Sequence, residues 1–204
     1  MTRKLFCAVF PAVLFLLLCS CGKDFQDGDL IFHSSNSSQS KAIQLATHSK
    51  YSHMGIIFKK NGERFVLEAI DPVQYTPLHL WIMRGAGSHY VTKRLKNAAK
   101  ILKSDTVLKM RETGEAFLGR PYDYYFEWND DRLYCSELVW KIYKNVLDVE
   151  IGEPAAAESF DFSSDEVKSK LKERFGDNIP PHSDKVISPG AMFESDKLIK
   201  IKEK

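Results

Sequence analysis

The stretch DRLYCSELVW, residues 131–140, places a cysteine where a polar run gives way to an apolar, helix-forming one. Unpaired N–H groups and the helix dipole at such a position stabilise a thiolate. The backbone N–H of Cys135 could also face a developing oxyanion. A nucleophilic thiol needs a base, and a base needs something to orient it. The spacing of a second stretch, SHMGIIFKKNGERFVLEAI, supplies both. Its Asn61-Gly62 pair is a strong signal for a two-residue hairpin turn. That turn pairs Lys60 with Glu63 and sets Gly55 opposite Glu68. His53, Gly55, Val66, Glu68 and Ile70 then share one face of the sheet. His53 and Glu68 become diagonal neighbours roughly 7–8 Å apart at the backbone, within side-chain reach, with Gly55 leaving room between them. A slip of one residue would turn Glu68 to the other face, so the register is the test. An exposed His53–Glu68 ion pair and a simply packed Cys135 are the alternatives that the spacing leaves open.

The other three cysteines belong to a different segment. MTRK is a basic start and LFCAVFPAVLFLLL an apolar run of signal-peptide length, interrupted by Pro11 and shorter than the roughly 20 residues of a spanning helix. The LCSC that follows reads as a lipobox ending at Cys21. On this reading residues 1–20 are a lipoprotein signal peptide, lipidated Cys21 begins a short tether over 21–27, and 28–204 form the functional domain. Cys7 and Cys19 would leave with the signal, and Cys135 would be the one free thiol of the mature chain. An exported protein has no disulfide use for a single cysteine.

The remaining sequence must position these residues. GDLIF reads as a buried strand, HSSNSSQS as a polar loop, and KAIQLATHS as helical. HYVTKRL (89–95) reads as a further strand, and a helical pattern runs from Ala98 to about Leu118, closed by Gly119-Arg120-Pro121. After the aromatic loop YDYYFEWNDD, Leu138, Ile142 and Val146 form one helical row and Val139, Tyr143 and Leu147 the next. SSDE begins another helix, running from Ser164 to about Phe175. Pro180-Pro181 marks an extended linker, and DKVIS and KLIKIKE are late strands. Segregated strands and helices indicate an α+β domain. Its net charge of +2 over 204 residues, with 27% charged positions of interleaved sign, excludes the basic footprint of a nucleic-acid binder.

GDLIF, SHMGIIF, Glu68-Ala69, RPYDYYF and LYCSELVW together resemble the permuted NlpC-like papain-fold proteins of the YiiX/YaeF type. In that group the histidine strand precedes the cysteine helix. The resemblance implies a permuted papain-like fold, an antiparallel sheet or small barrel packed against helices, with the nucleophile at a helix N-terminus. It also implies a cysteine peptidase or amidase with Cys135 as nucleophile, His53 as base and Glu68 as orienting residue. Tyr122 resembles the tyrosine that shapes the oxyanion and substrate site in NlpC-type enzymes, and Tyr124 and Trp128 could line the cleft.

Relatives of this type cut cell-wall peptides, and other permuted relatives move acyl chains on lipids. A cysteine amidase or peptidase acting on envelope peptides is the leading expectation. An acyltransferase or lipid hydrolase of the same fold, and a non-catalytic peptide-binding lipoprotein, are the alternatives. Asp123, Glu127, Asp130 and Asp131 could meet a cationic amine such as lysine or diaminopimelate. The membrane is engaged through Cys21, placing the protein in a bacterial cell envelope, membrane-anchored and facing the periplasm or on the outer membrane. No cofactor or metal is expected: the six histidines form no HExxH, and no phosphate loop is present. His33, His48, His79, His89 and His182 read as surface or structural residues.

Overall fold

The computed structural model describes residues 24–177 and 185–204. The signal segment, Cys21, the Pro180-Pro181 linker and His182 lie outside them. Six strands form one open antiparallel sheet: β1 (Asp29–His33), β2 (His53–Lys60), β3 (Glu63–Glu68), β4 (Gln74–Pro77), β5 (Val91–Leu95) and β6 (Leu198–Glu203), in the order β4-β3-β2-β1-β5-β6. Among the described residues seven α-helices accompany them: α1 (Ser38–Thr47), α2 (Leu78–Arg84), α3 (Ala98–Ile101), α4 (Ser104–Glu115), α5 (Cys135–Leu147), α6 (Asp165–Phe175) and α7 (Pro189–Phe193).

The middles of the central strands, 30–32 and 54–58, carry no polar side chain because both their faces are covered. Leu30 and Phe32 of β1, Met54, Ile56 and Phe58 of β2, and Leu67 of β3 join the main core, which α5 closes with Leu138, Val139, Ile142 and Tyr143. The alternate residues Ile31, Ile57 and Val66 face the other way, under Leu78 and Trp81 of α2. A fully buried Leu, Ile or Phe contributes about 1.5–3 kcal/mol, so the sheet is held from both sides. The β2–β3 register is the one that the Asn61-Gly62 turn dictates, with Lys60 opposite Glu63 and Ile56 opposite Leu67.

Two elements depart from the sequence reading, and two stretches without a reading take on structure. The helix expected over 98–118 is two: it breaks at Leu102 and Lys103, both outside helical geometry. Leu102 leaves the helix to pack on the core against Gly28. DKVIS is no strand; Val186 makes one isolated bridge to Ala155. The SPGAMF segment is helical, capped by Ser188, which accepts from the Ala191 N–H. Residues 71–88, unassigned from sequence, form β4 and α2, and these two short elements prove central to the site.

Candidate active site

Cys135 opens α5 and is 2% exposed. Its position is fixed by its two neighbours. The Tyr134 hydroxyl accepts from the Ile187 N–H (3.1 Å), and the Ser136 hydroxyl donates to the Ile187 carbonyl (2.7 Å). Glu137 reaches back to accept from the Tyr134 N–H at 3.3 Å, completing the first turn. Glu137 is wholly buried, and burial pushes its carboxyl up to about 8 against the pull of Lys141 at 2.7 Å.

His53 starts β2 and Glu68 ends β3, on the sheet face covered by α2. The His53 Nε2 lies 2.6 Å from the Glu68 Oε2. The register thus delivers the pair, and Gly55 makes it possible. A Cβ there would stand 2.4 Å from Val66 Cγ1 and 2.7 Å from the Leu67 carbonyl oxygen. With Nε2 committed to the carboxylate, Nδ1 is the nitrogen left to act on a substrate or thiol. Burial would pull the imidazole down, but the negative charge at Cys135, followed by Glu68, outweighs it and holds His53 up to about 9. A protonated imidazolium on His53 is the charge state these surroundings favour.

Glu68 is completely buried yet stays ionised. Against the cost of burial, the His53 bond, the Arg84 charge and the Thr76 hydroxyl draw its carboxyl down to about 2. It accepts four donors: His53, Thr76 Oγ1 (2.5 Å), Trp81 Nε1 (2.8 Å) and Arg84 Nη2. Buried carboxylates persist only when so satisfied. Thr76 comes from β4, and Trp81 and Arg84 from α2. Sequence reasoning missed all three, because seven residues of helix and four of strand show too little periodicity to announce themselves. Pro77 immediately before Leu78 was the one available cue, a proline at a helix start.

His33, expected at the surface or in a structural role, is buried beside the His53–Glu68 pair. It is 3% exposed, pairs with His53 across β1 and β2, and stacks on Trp81 at 4.0 Å. Burial, then repulsion from His53 and Arg84, pushes it down to about 3, so it is a neutral ring in the site. The alternation of β1 could have found it, since a residue opposite His53 in the neighbouring strand shares its face.

The structure brings Tyr122 to the same place. It is buried beside Cys135, and its hydroxyl accepts from Gln39 Nε2 at 3.5 Å. Tyr124 lies against Tyr122 at 4.9 Å and is 41% exposed at the rim. Trp128 lines the cleft edge-on to Trp140. A cavity of about 710 Å³ opens in front of Cys135 between α1, α6 and the aromatic loop, and its walls are mainly apolar, among them Ile43, Phe126, Phe160, Leu171 and Phe175. The carboxylates expected around a cationic amine face cations of the chain itself. Glu127 meets Arg132 at 3.0 Å, Asp130 meets Lys141 at 2.8 Å, and Asp131 meets Arg120 at 3.5 Å. Asp123 is fully buried, accepting from the Tyr125 N–H.

The fold thus brings together a cysteine at a helix N-terminus, a histidine beside it and a carboxylate behind the histidine. A family model described as permuted papain-like amidase enzyme, YaeF/YiiX, C92 family, matches residues 24–202. The chain is 47% identical over 173 residues to YiiX of Escherichia coli K12, covering 85% of this chain and 84% of that one. The crystal structure of the metalloprotein YiiX from Escherichia coli O157:H7 superposes with a TM-score of 0.82 at 46% identity, covering 88% of this chain and 97% of that one.

Proposed function

The chain belongs to the permuted papain-like amidases of the YaeF/YiiX family, and from that premise we propose how its own residues divide the work. The Cys135 thiolate attacks the carbonyl carbon of an amide. The oxyanion that forms is met by the Cys135 N–H and by the Tyr122 O–H, whose oxygen is held by Gln39. His53 gives its Nδ1 proton to the departing amine, leaving an acyl thioester on Cys135. Water then attacks the thioester, its proton passing to His53 and the Cys135 sulfur leaving as thiolate. Glu68 holds the imidazole in one orientation throughout. The 2.6 Å His53–Glu68 bond beside the Cys135 helix end is the observation that carries this reading.

The anchor is the lipobox cysteine, Cys21, which tethers the enzyme in the bacterial envelope, within reach of peptidoglycan-type peptides and membrane lipids. The apolar walls of the Cys135 cavity favour an apolar acyl group on the thioester side. That same feature supports a second reading, lipid hydrolysis or acyl transfer through the same thioester. The peptide reading keeps lysine or diaminopimelate amides among the substrates.

The relative from strain O157:H7 is described as a metalloprotein. Among the described residues here, no three His, Cys, Asp or Glu side chains converge as a metal site requires. This donor set does not fit a metal, and no step is routed through one.

The test is to incubate the protein with a long-chain N-acyl amide, a phospholipid and a peptidoglycan-type peptide, and to read its intact mass. An acyl adduct on Cys135 with release of free amine supports the amidase. An adduct from phospholipid alone transfers the case to the lipid reading. Absence of adduct and product with every substrate, in a folded protein, sinks both.

A further inference from the structure

The cavity at Cys135 continues past Tyr122 into a second pocket of about 420 Å³, lined on one side by His53. Gln39, Ile43, Ser52, Tyr122 and Lys170 border both spaces. The second pocket differs in kind from the first. Four serines of the 35–40 segment line it, with two cations, Arg84 and Lys170, and one carboxylate, Asp71. Asp71 is turned to the Tyr122 N–H at 3.4 Å, and Lys170 holds the exposed Glu173 at 2.5 Å. Arg84 is placed differently. Among the described residues its guanidinium makes one hydrogen bond, from Nη2 to Glu68 Oε1, and its side chain is 39% exposed. The rest of a planar five-donor fork is left toward the pocket.

The chemistry assigns a direction to the two spaces. The acyl half of a substrate stays on the sulfur, so it occupies the cavity that Cys135 lines. The amine half takes its proton from the imidazole, so it departs on the side that His53 lines. We infer that Arg84 reads an anionic group, a carboxylate or a phosphate, carried by the amine half of the substrate. This rests on the Cys135–His53 amidase reading. A fork that already gives one corner to Glu68 can bind such an anion without releasing the carboxylate, because Thr76, Trp81 and His53 also hold Glu68 in place. Arg84 is then both a positioning residue for Glu68 and a specificity residue for the leaving group, and the two roles separate experimentally.

Binding is measured calorimetrically on the Cys135→Ala protein, which cannot turn over, with three ligands that share one acyl chain. These are N-lauroylglycine, N-lauroyl phosphoethanolamine and the neutral N-lauroylethanolamine. The two anionic ligands are expected to bind at least about 10-fold tighter than the neutral one, the scale of a charge-assisted hydrogen bond in a half-open site. Whichever anion binds tighter names the source. Adding Arg84→Gln should cut the preference to what the His53 imidazolium alone supplies, while changing the affinity of the neutral ligand little. Arg84→Lys, which keeps the charge and loses the fork, should retain part of it. Equal affinity for charged and neutral ligands, or an equal loss for all three in both Arg84 variants, overturns the inference. Turnover of the same compounds by the wild-type enzyme is read separately. An intact anion preference with no product from any ligand supports Arg84 as the reader and rejects the amidase reading.

Discussion

The His53 Nε2 and the Glu68 Oε2 stand 2.6 Å apart although their residues are separated by a full hairpin. The β2–β3 register that follows from the Asn-Gly turn aligns their strands, and pairing of His53 with His33 and of Glu68 with Gln74 fixes them from the outer sides. The carboxylate is in turn gripped from the far side by β4 and α2. The imidazole therefore cannot rotate without breaking a bond to a group that has nowhere else to go.

Replacing Glu68 by Gln keeps the volume and removes the charge. The amide cannot accept from all four donors, and His53 loses its fixed tautomer. Turnover should fall by about 100-fold or more with little change in KM, as expected when an orienting acid is lost. Steady-state kinetics on any substrate that acylates Cys135 checks this. A fall in KM-dependent terms alone would mean that Glu68 serves binding and not orientation.

The thiol should report the same network without any substrate. Iodoacetamide is expected to label Cys135 quickly at neutral pH, and His53→Ala should slow labelling by about 10-fold or more, because the neighbouring cation that favours the thiolate is gone. Peptide mapping of the alkylated site over time gives the rates. Equal and slow labelling in both proteins would leave Cys135 a packed thiol.

His53 also ties stability to pH. Folded, it keeps its proton up to about 9; unfolded, only to its ordinary 6.5. The folded chain binds more protons between those values, so this contribution is full below 6.5 and is lost as the pH climbs toward 9. Thermal unfolding from pH 6 to 9.5 should show a falling Tm in the wild type and a shallower fall in His53→Gln. Parallel curves would place the raised affinity elsewhere.

How legible the site was depended on the length of the element carrying each residue. Cys135 begins a 13-residue helix and His53 and Glu68 flank a tight turn, so periodicity and turn chemistry located them. Thr76, Trp81 and Arg84 sit on elements of four and seven residues, below the length at which a pattern repeats. The break at Leu102 was hidden for another reason: the helical pattern continues through it, and a tertiary contact with Gly28 decides the matter. His33 was within reach of strand-pairing logic.

Gly55→Ala tests how tightly the β2–β3 spacing is set. The added methyl would meet Val66 at 2.4 Å and the Leu67 carbonyl oxygen at 2.7 Å, and the second neighbour is backbone that cannot turn aside. A loss of about 1–3 kcal/mol is expected, with activity falling further because β2 must shift away from Glu68. Urea unfolding measures the first and turnover the second. An unchanged midpoint would show that the strands separate freely here.

The buried neutral His33 should limit stability in acid. Its folded affinity for protons is depressed to about 3 by burial first, then by His53 and Arg84, whereas the unfolded side chain titrates at 6.5. Between these values the unfolded chain binds the extra proton, so stability is lost as the pH falls below 6.5. At pH 5 the cost is about 2 kcal/mol. Phe at this position keeps a flat ring on Trp81, carries no proton, and removes the buried Nδ1 that has no hydrogen-bond partner among the described residues. Carboxylates that protonate in the same range are common to both proteins and cancel in the comparison. His33→Phe should therefore lose about 2 kcal/mol less than the wild type between pH 7 and pH 5 in urea unfolding. Equal losses would mean that His33 accepts its proton inside the fold, with the neighbouring site rearranged to admit a second positive charge.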